Sequence, residues 1–403
     1  MKIIEKVKSY KGVYSTKHFM PRRPNENLDI SLSILLQLIL VKLYAAVLKP
    51  KRKNIFFFNN FYHCNTKYVF EKLSHLDHVF YISPYKKELN KYKSSKKHIY
   101  QFSFRAIPKI AKAKTWCYAS GSGFPKLIHK ELSKCIKINL WHGVPFLNSP
   151  GQFKNTEDTY YFSPSKFMSQ VYIEEWKSNK DKVLLTTGYP RNDILCKVNP
   201  ELERHIKDKL NILSYNKIIL YAPTWKQRHK EERPLFPWDE ERIIDKIQTY
   251  CKANNYLFLI KGHPQFHYND EYDLSLFPNV TFLDDEMYSD TQEVLCISDM
   301  LITDWSSIAN DYLVLNRPII FLNVDPNCPK LILKQEDRVG NIANNFHEML
   351  AYMRKNMINY EDKSSLNQTH RKEVLTKCFD MDLTGTSGQV WADKIVELNH
   401  INI

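Results

Sequence analysis

The stretch Asp299-Met300-Leu301-Ile302-Thr303-Asp304-Trp305-Ser306-Ser307-Ile308-Ala309-Asn310-Asp311-Tyr312-Leu313-Val314-Leu315-Asn316-Arg317-Pro318-Ile319-Ile320-Phe321-Leu322 decides how the chain is read. Met300 to Ile302 is a short apolar run suited to a buried strand. Ile308, Tyr312 and Leu315 then recur at helical spacing, and Pro318 stops the helix before a second apolar run. The order is strand, turn, helix, strand. The turn, Thr303 to Ser307, sets two hydroxyls and several unpartnered backbone N–H groups at a helix start, an arrangement that attracts anions. By itself it reads equally well as a helix whose cap is Ser306.

Outward from this stretch the same alternation repeats. Apolar runs at 55–58, 79–82, 98–102, 115–119, 136–141, 160–163 and 183–187 are candidate strands, with helical stretches such as 67–76 and 125–132 between them. A more polar passage, 196–216, separates this half from a second series at 218–222, 256–261, 280–283, 300–303 and 319–322. Strands alternating with helices specify mostly parallel sheets covered on both faces. The expected fold class is α/β, with two Rossmann-like domains at 55–195 and 217–380, a linker at 196–216 and a terminal helix within 381–403. No internal repeat at solenoid spacing and no low-complexity tract interrupts the pattern.

Composition narrows the class. The 403 residues include 58 Lys and Arg against 44 Asp and Glu, a formal charge of +14, which calls for an anionic partner: a phosphorylated substrate, an acidic membrane surface or nucleic acid. The eight cysteines are scattered without a Cys-x-x-Cys pair, which suggests neither a zinc site nor a disulfide framework and fits a reducing cytoplasm. No metal and no cofactor are expected.

The first 54 residues differ from the rest. Basic residues dominate 1–28, no small-residue cleavage site follows an early apolar core, and an apolar segment from Leu32 to Leu48 ends in Lys49-Pro50-Lys51-Arg52-Lys53. Gln37 and Lys42 interrupt it on different faces, so it is neither a clean membrane span nor a clean amphipathic helix. Two placements follow: a helix lying on a membrane surface, favoured by the flanking basic residues, or one packed against the first domain.

The chemically interesting residues fall just after expected strands, where open α/β sheets bind ligands. They are Trp141-His142-Gly143-Val144-Pro145 and Gly188-Tyr189-Pro190-Arg191-Asn192-Asp193 in the first half. The second half supplies Tyr221-Ala222-Pro223-Thr224-Trp225-Lys226, Lys261-Gly262-His263-Pro264 and Asp304-Trp305-Ser306-Ser307. Each alone has an ordinary explanation: a hydrogen-bonded structural histidine, a turn, a solvated charge run or plain core. Five clusters converging on one interdomain cleft outweigh those explanations.

Taken in order, these five motifs resemble the CDP-glycerol glycerophosphotransferase family, which makes teichoic acids and related capsular or lipopolysaccharide polymers; the resemblance covers roughly residues 55 to 380. It implies a GT-B fold and the transfer of glycerol phosphate from CDP-glycerol to a hydroxyl of a lipid-linked saccharide acceptor, with release of CMP. It implies His142 as the base on the acceptor hydroxyl, and His263 with Ser306 and Ser307 holding the donor pyrophosphate. Thr224, Lys226 and Asp304 join the donor side, and Gly143, Pro145, Arg191 and Asp193 line the acceptor side or the cleft. Phosphoryl transfer needs positioning and charge stabilisation more than covalent chemistry, which this set can supply. The expected location is peripheral, on the cytoplasmic face of the cell membrane. CDP-ribitol as donor, or a GT-B enzyme using a CMP- or UDP-sugar, shares the architecture. A nucleic-acid binder is the non-enzymatic rival, but no RRM, KH or zinc signature is present, and nucleic acid is not an expected partner.

Overall fold

The computed structural model describes residues 26–92, 95–119, 135–224, 235–238, 242–262, 276–283, 288–358, 368–380 and 384–400. The expected helix at 125–132, together with Trp225, Lys226, His263 and Pro264, lies outside the described residues.

Two fully parallel sheets form the core. The first contains β1 (Asn54–Phe58), β2 (Val79–Ser83), β3 (His98–Tyr100), β4 (Ala113–Tyr118), β5 (Ile136–Asn139), β6 (Tyr160–Ser163) and β7 (Val183–Leu185), in the order β3-β2-β1-β4-β5-β6-β7. The second contains β8 (Lys217–Tyr221), β9 (Tyr256–Ile260), β10 (Val280–Phe282), β11 (Met300–Thr303), β12 (Ile319–Leu322) and β13 (Asn341–Ala343), in the order β10-β9-β8-β11-β12-β13. Central strands such as Asn54-Ile55-Phe56-Phe57-Phe58 are buried along their whole length, which is why they read as continuous apolar runs instead of alternating ones. Both orders reverse direction once, beside β1 and β4 and beside β8 and β11, and a doubly wound sheet opens its ligand crevice at that reversal.

The strands end earlier than apolar patterning suggests. β5 stops at Asn139 and β7 at Leu185 because Trp141 (φ 49°), Thr187 (φ 47°) and Gly188 (φ 62°) take left-handed backbone that no strand accommodates. The helix that begins the turn-helix motif is likewise short. It runs from Ile308 to Tyr312, tightens into a 3-10 turn at Leu313–Leu315 and ends at Asn316 with φ 52°. The polar passage at 196–216 is no bare linker. It carries the helix Pro200–Lys209, started by the Asn199 side chain, which accepts from the Leu202 N–H at 2.9 Å. β13 was not expected; it enters beside β12 through Gly340, where a Cβ would lie 2.4 Å from the Ile319 carbonyl oxygen.

Two helices cross between parts of the chain. Glu26–Leu48 lies against the first domain, with Gln37 buried and donating to the Gln101 carbonyl and Val41 packed on the outer face of β1, β2 and β4. No helix among the described residues is long and apolar enough to cross a membrane. The helix Ser387–His400 returns to the first domain and packs on the helix Cys64–Leu73. Its Trp391 indole donates to the Thr186 carbonyl at 3.1 Å.

Candidate active site

The first wall of the site forms where β5 leaves its sheet. Asn139 Oδ1 accepts from the Trp141 N–H at 2.9 Å and turns the chain outward. The left-handed Trp141 costs of order 1–3 kcal/mol in backbone strain, and it persists because its surroundings fix it. Asn65, fully buried at the start of the helix Cys64–Leu73, donates to the carbonyls of Leu140 at 3.1 Å and Trp141 at 3.0 Å. The Trp141 ring is flanked by Phe153 and Trp176. His142 is exposed, and its Nδ1 lies 2.9 Å from the carbonyl oxygen of Ala119, just past β4. A carbonyl only accepts, so Nδ1 carries the proton, and in the neutral ring Nε2 carries the lone pair. That is the tautomer a general base requires.

The second wall forms at the reversal of the other sheet. Asp304 Oδ1, after β11, accepts from the Thr224 N–H at 2.8 Å, from the Thr224 hydroxyl and from the Trp305 N–H at 2.6 Å. Because Thr224 follows the adjoining β8, these bonds bridge the crevice floor. Burial pushes the Asp304 carboxyl above the usual carboxylate range, and the bonds from Thr224 and Trp305 oppose that push. Thr224 and Asp304, expected to bind the donor, hold each other and shape the turn. Ser306 and Ser307 differ: neither hydroxyl has a hydrogen-bond partner among the described residues, and Ser307 makes no side-chain cap. With only five residues behind it, the helix Ile308–Tyr312 adds little dipole, so what the turn offers an anion is mainly its two hydroxyls.

The walls touch at Gly143. A Cβ there would lie 2.8 Å from Ser307 Oγ and 3.2 Å from Arg191 Nη2, so only glycine lets the loop bearing His142 approach the serine turn this closely. Beyond half-buried Pro145, Phe146 is fully buried against Trp305 and Phe321 of the second domain. Its carbonyl accepts from the Ile332 N–H at 2.8 Å, and the Asn148 N–H donates to the Lys330 carbonyl at 3.2 Å, so the chain after His142 pairs across the domain boundary.

Arg191 stands at the junction. Its Nη1 donates to the His142 carbonyl, and its Nη2 pairs with Asp311 Oδ2 at 2.5 Å. Burial works against the guanidinium charge, but Asp311 together with Cys64 and Tyr189 outweighs it and the Arg191 pKa is raised. A second buried cluster also joins the domains: Lys67 Nζ lies 2.5 Å from Asp290 and 2.8 Å from Glu293. Asp193 is a correction. Its two carboxylate oxygens accept from the Ser387 N–H at 3.1 Å and the Gly388 N–H at 2.7 Å, so it caps the returning helix Ser387–His400 and is not a cleft group. Asn65, Asn310 and Asp311 were not singled out from sequence, although Asn65 follows β1 and so obeys the strand-end rule that found the others.

Residues 42–382 match the family described as CDP-Glycerol:Poly(glycerophosphate) glycerophosphotransferase. The chain belongs to that family. Among its relatives, a teichoic acid poly(glycerol phosphate) polymerase of Bacillus subtilis (strain 168) is 28% identical over 309 residues, 70% of this chain and 40% of that protein. A teichoic acid glycerol-phosphate transferase of Staphylococcus aureus (strain NCTC 8325) is 27% identical over 313 residues, 69% of this chain and 76% of that protein. The solved wall teichoic acid polymerase TagF superposes with a TM-score of 0.71 at 21% identity, covering 93% of this chain and 97% of that one. The fold is therefore of GT-B type, as the family resemblance implied, with the two Rossmann-like domains meeting at the Gly143–Ser307 contact.

Proposed function

We propose that this glycerophosphotransferase family member moves glycerol phosphate from CDP-glycerol to a hydroxyl of a lipid-linked glycan acceptor, releasing CMP, during synthesis of a cell-surface polymer. The observation that carries the reading is the Gly143 contact, which sets a correctly tautomerised histidine and two uncommitted serine hydroxyls on adjoining walls. His142 Nε2 takes the proton of the acceptor hydroxyl as that oxygen attacks the glycerol-bearing phosphorus. The bond from that phosphorus to the bridging oxygen breaks, and CMP departs with the electron pair. Ser306 and Ser307 donate hydrogen bonds to the pyrophosphate and to the charge that grows on the leaving phosphate. The family resemblance gives His263 a donor-side role, and Lys226, just after β8 in sequence, is a further donor-binding candidate. A TagF variant has been soaked with CDPG, which supports a donor of this class.

We further propose that the acceptor is met at a membrane surface. Leu36, Ile39, Leu43 and Val47 form an exposed apolar stripe along the helix Glu26–Leu48, on a side other than the one Gln37 and Val41 use for docking. Exposed Lys49, Lys51 and Lys53 follow it, each favouring an acidic leaflet by about 1 kcal/mol.

The test is CMP release by the full-length protein from CDP-glycerol, CDP-ribitol and a CMP-sugar, each with a lipid-linked acceptor on anionic vesicles. CDP-glycerol is expected to be used. Release from CDP-ribitol or the CMP-sugar alone would reassign the donor, and no release from any of them would overturn the reading.

A further inference from the structure

The segment His142-Gly143-Val144 is held at both of its flanking carbonyls by groups that answer to one short helix of the other domain. The His142 carbonyl accepts from Arg191 Nη1, and Arg191 is in turn paired through Nη2 with Asp311 at 2.5 Å. The Val144 carbonyl accepts from Asn310 Nδ2 at 2.9 Å. Between them, Gly143 rests against Ser307. Ser307, Asn310 and Asp311 all belong to the turn and the helix Ile308–Tyr312, so the element that presents the two serines also clamps the loop that presents the histidine.

Asp311 is the centre of the clamp. It is 2% exposed, and each of its carboxylate oxygens is engaged: Oδ2 with Arg191 and, at 3.3 Å, Gln292 Nε2, and Oδ1 with Asn192 Nδ2 at 2.9 Å. Asn192 and Arg191 come from the first domain, Gln292 from the second. Burial pushes the Asp311 carboxyl above the usual carboxylate range while Arg191 pulls it the other way, the balance of a charge kept in the interior only because several donors meet it. Arg191 is anchored on its own side too, with its N–H donating to Asn65 Oδ1 at 3.3 Å, and Asn65 is the residue that holds the Leu140 and Trp141 carbonyls.

We propose that Asp311, acting through Arg191 and seconded by Asn310, is a positioning residue that sets the distance and angle of His142 relative to the serine turn. The proposal rests on the donor and acceptor roles given above. Asp311 touches no substrate; its work is to make the two walls register. A reacting pair displaced by about 1 Å can lose 10²-fold in rate, so this register is a kinetic quantity and not only a structural one.

The test uses the full-length protein and four variants, Asp311→Asn, Asn310→Ala, Arg191→Met and Arg191→Met/Asp311→Leu. Asp311→Asn is expected to lower kcat about 10²-fold and Asn310→Ala about tenfold, with the calorimetric Kd for CDP-glycerol changed less than about threefold in both. Removing both charged partners relieves the stranded charge, so the Arg191→Met/Asp311→Leu variant should regain the Tm that Arg191→Met alone loses, yet its kcat should stay low. Recovery of kcat together with Tm would reduce the clamp to domain packing and overturn the proposal, as would a folded Asn310→Ala with unchanged kcat. Hydrogen exchange of the 141–144 amides reads the clamp without any substrate: Asn310→Ala should speed it while leaving β1 and β4 protected. Should the wild-type protein release no CMP, the donor reading falls and the exchange experiment alone decides the clamp, with unchanged exchange in Asn310→Ala refuting it.

Discussion

The two sheets share a strand order at their reversal points, yet the loops that leave them are secured in opposite ways. The serine turn of the second domain is held from within: Asp304, Thr224 and Trp305 bond to one another across β8 and β11. The histidine loop of the first domain is held partly by its own Asn65, Asn139 and Ala119, and partly by Asn310 and the Arg191–Asp311 pair that reach across the boundary. A self-secured turn keeps its fold whether or not its neighbour is docked. A loop secured from across the boundary is competent only while the other wall is in place. In this reading, the donor side comes ready-made and the base side is assembled by docking.

The largest expected effect tests whether the walls divide their labour in this way. His142→Ala should lower transfer about 10²- to 10⁴-fold, the range for loss of a general base, while calorimetric titration with CDP-glycerol shows nearly wild-type affinity. Loss of donor binding in that variant would place the donor on the first wall and reverse the assignment. A middle-sized effect sharpens the contact between the walls. Gly143→Ala puts a methyl group 2.8 Å from Ser307 Oγ, close enough to force that hydroxyl aside, so a substitution in the first domain should weaken donor binding by about ten- to a hundredfold, the value of one hydrogen bond to a charged group. In a Ser307→Ala background the same change should cost little more, because the displaced hydroxyl is already gone. Additive losses in the double variant would show that Gly143 acts some other way.

The smallest effect concerns stability and belongs to the first sheet. His98, on its edge strand β3, sits among the rings of Tyr62, Phe70, Tyr81 and Tyr92, and neither ring nitrogen has a hydrogen-bond partner among the described residues. Burial lowers its pKa to about 4, against about 6.5 for an unperturbed histidine. Between those values the unfolded chain binds the proton and the folded one does not, so stability should fall as pH drops from about 6.5 to about 4. His98→Phe should flatten that part of the profile in urea unfolding. Parallel profiles for the two proteins would mean that His98 is protonated in place without penalty.

The strands were legible because a strand buried on both faces is a short apolar run with polar punctuation, and Phe56, Ile219 and Ile320 announce themselves that way. The places where strands stop were not. Trp141 leaves β5 through a backbone angle imposed by side chains of Asn139 and Asn65, and apolar patterning carries no record of a hydrogen bond from a residue 76 positions away. Strand-end position found His142, Gly143, Arg191, Ser306 and Ser307, and the structure gathers His142, Gly143, Arg191 and Ser307 at the boundary. The same rule overreached at Asp193, which shares the motif of Arg191 but answers to amides at 387 and 388. It passed over Asp311, an acidic residue in plain view of the opening stretch whose partner Arg191 lies 120 residues earlier.

The returning helix Ser387–His400 bears on how the protein is made. Its cap, Asp193, is separated from Ser387 by 194 residues, and Trp391 completes the surface around Thr186. At about 5–20 residues per second, roughly 10 to 40 s pass on the ribosome between the two ends of that contact. Throughout that interval the earlier sheet must hold its shape with one flank, the outer side of the helix Cys64–Leu73, still bare. A nascent chain arrested after the second sheet but before residue 387 should therefore be more protease-sensitive in its first domain than in its second, although the first was made earlier.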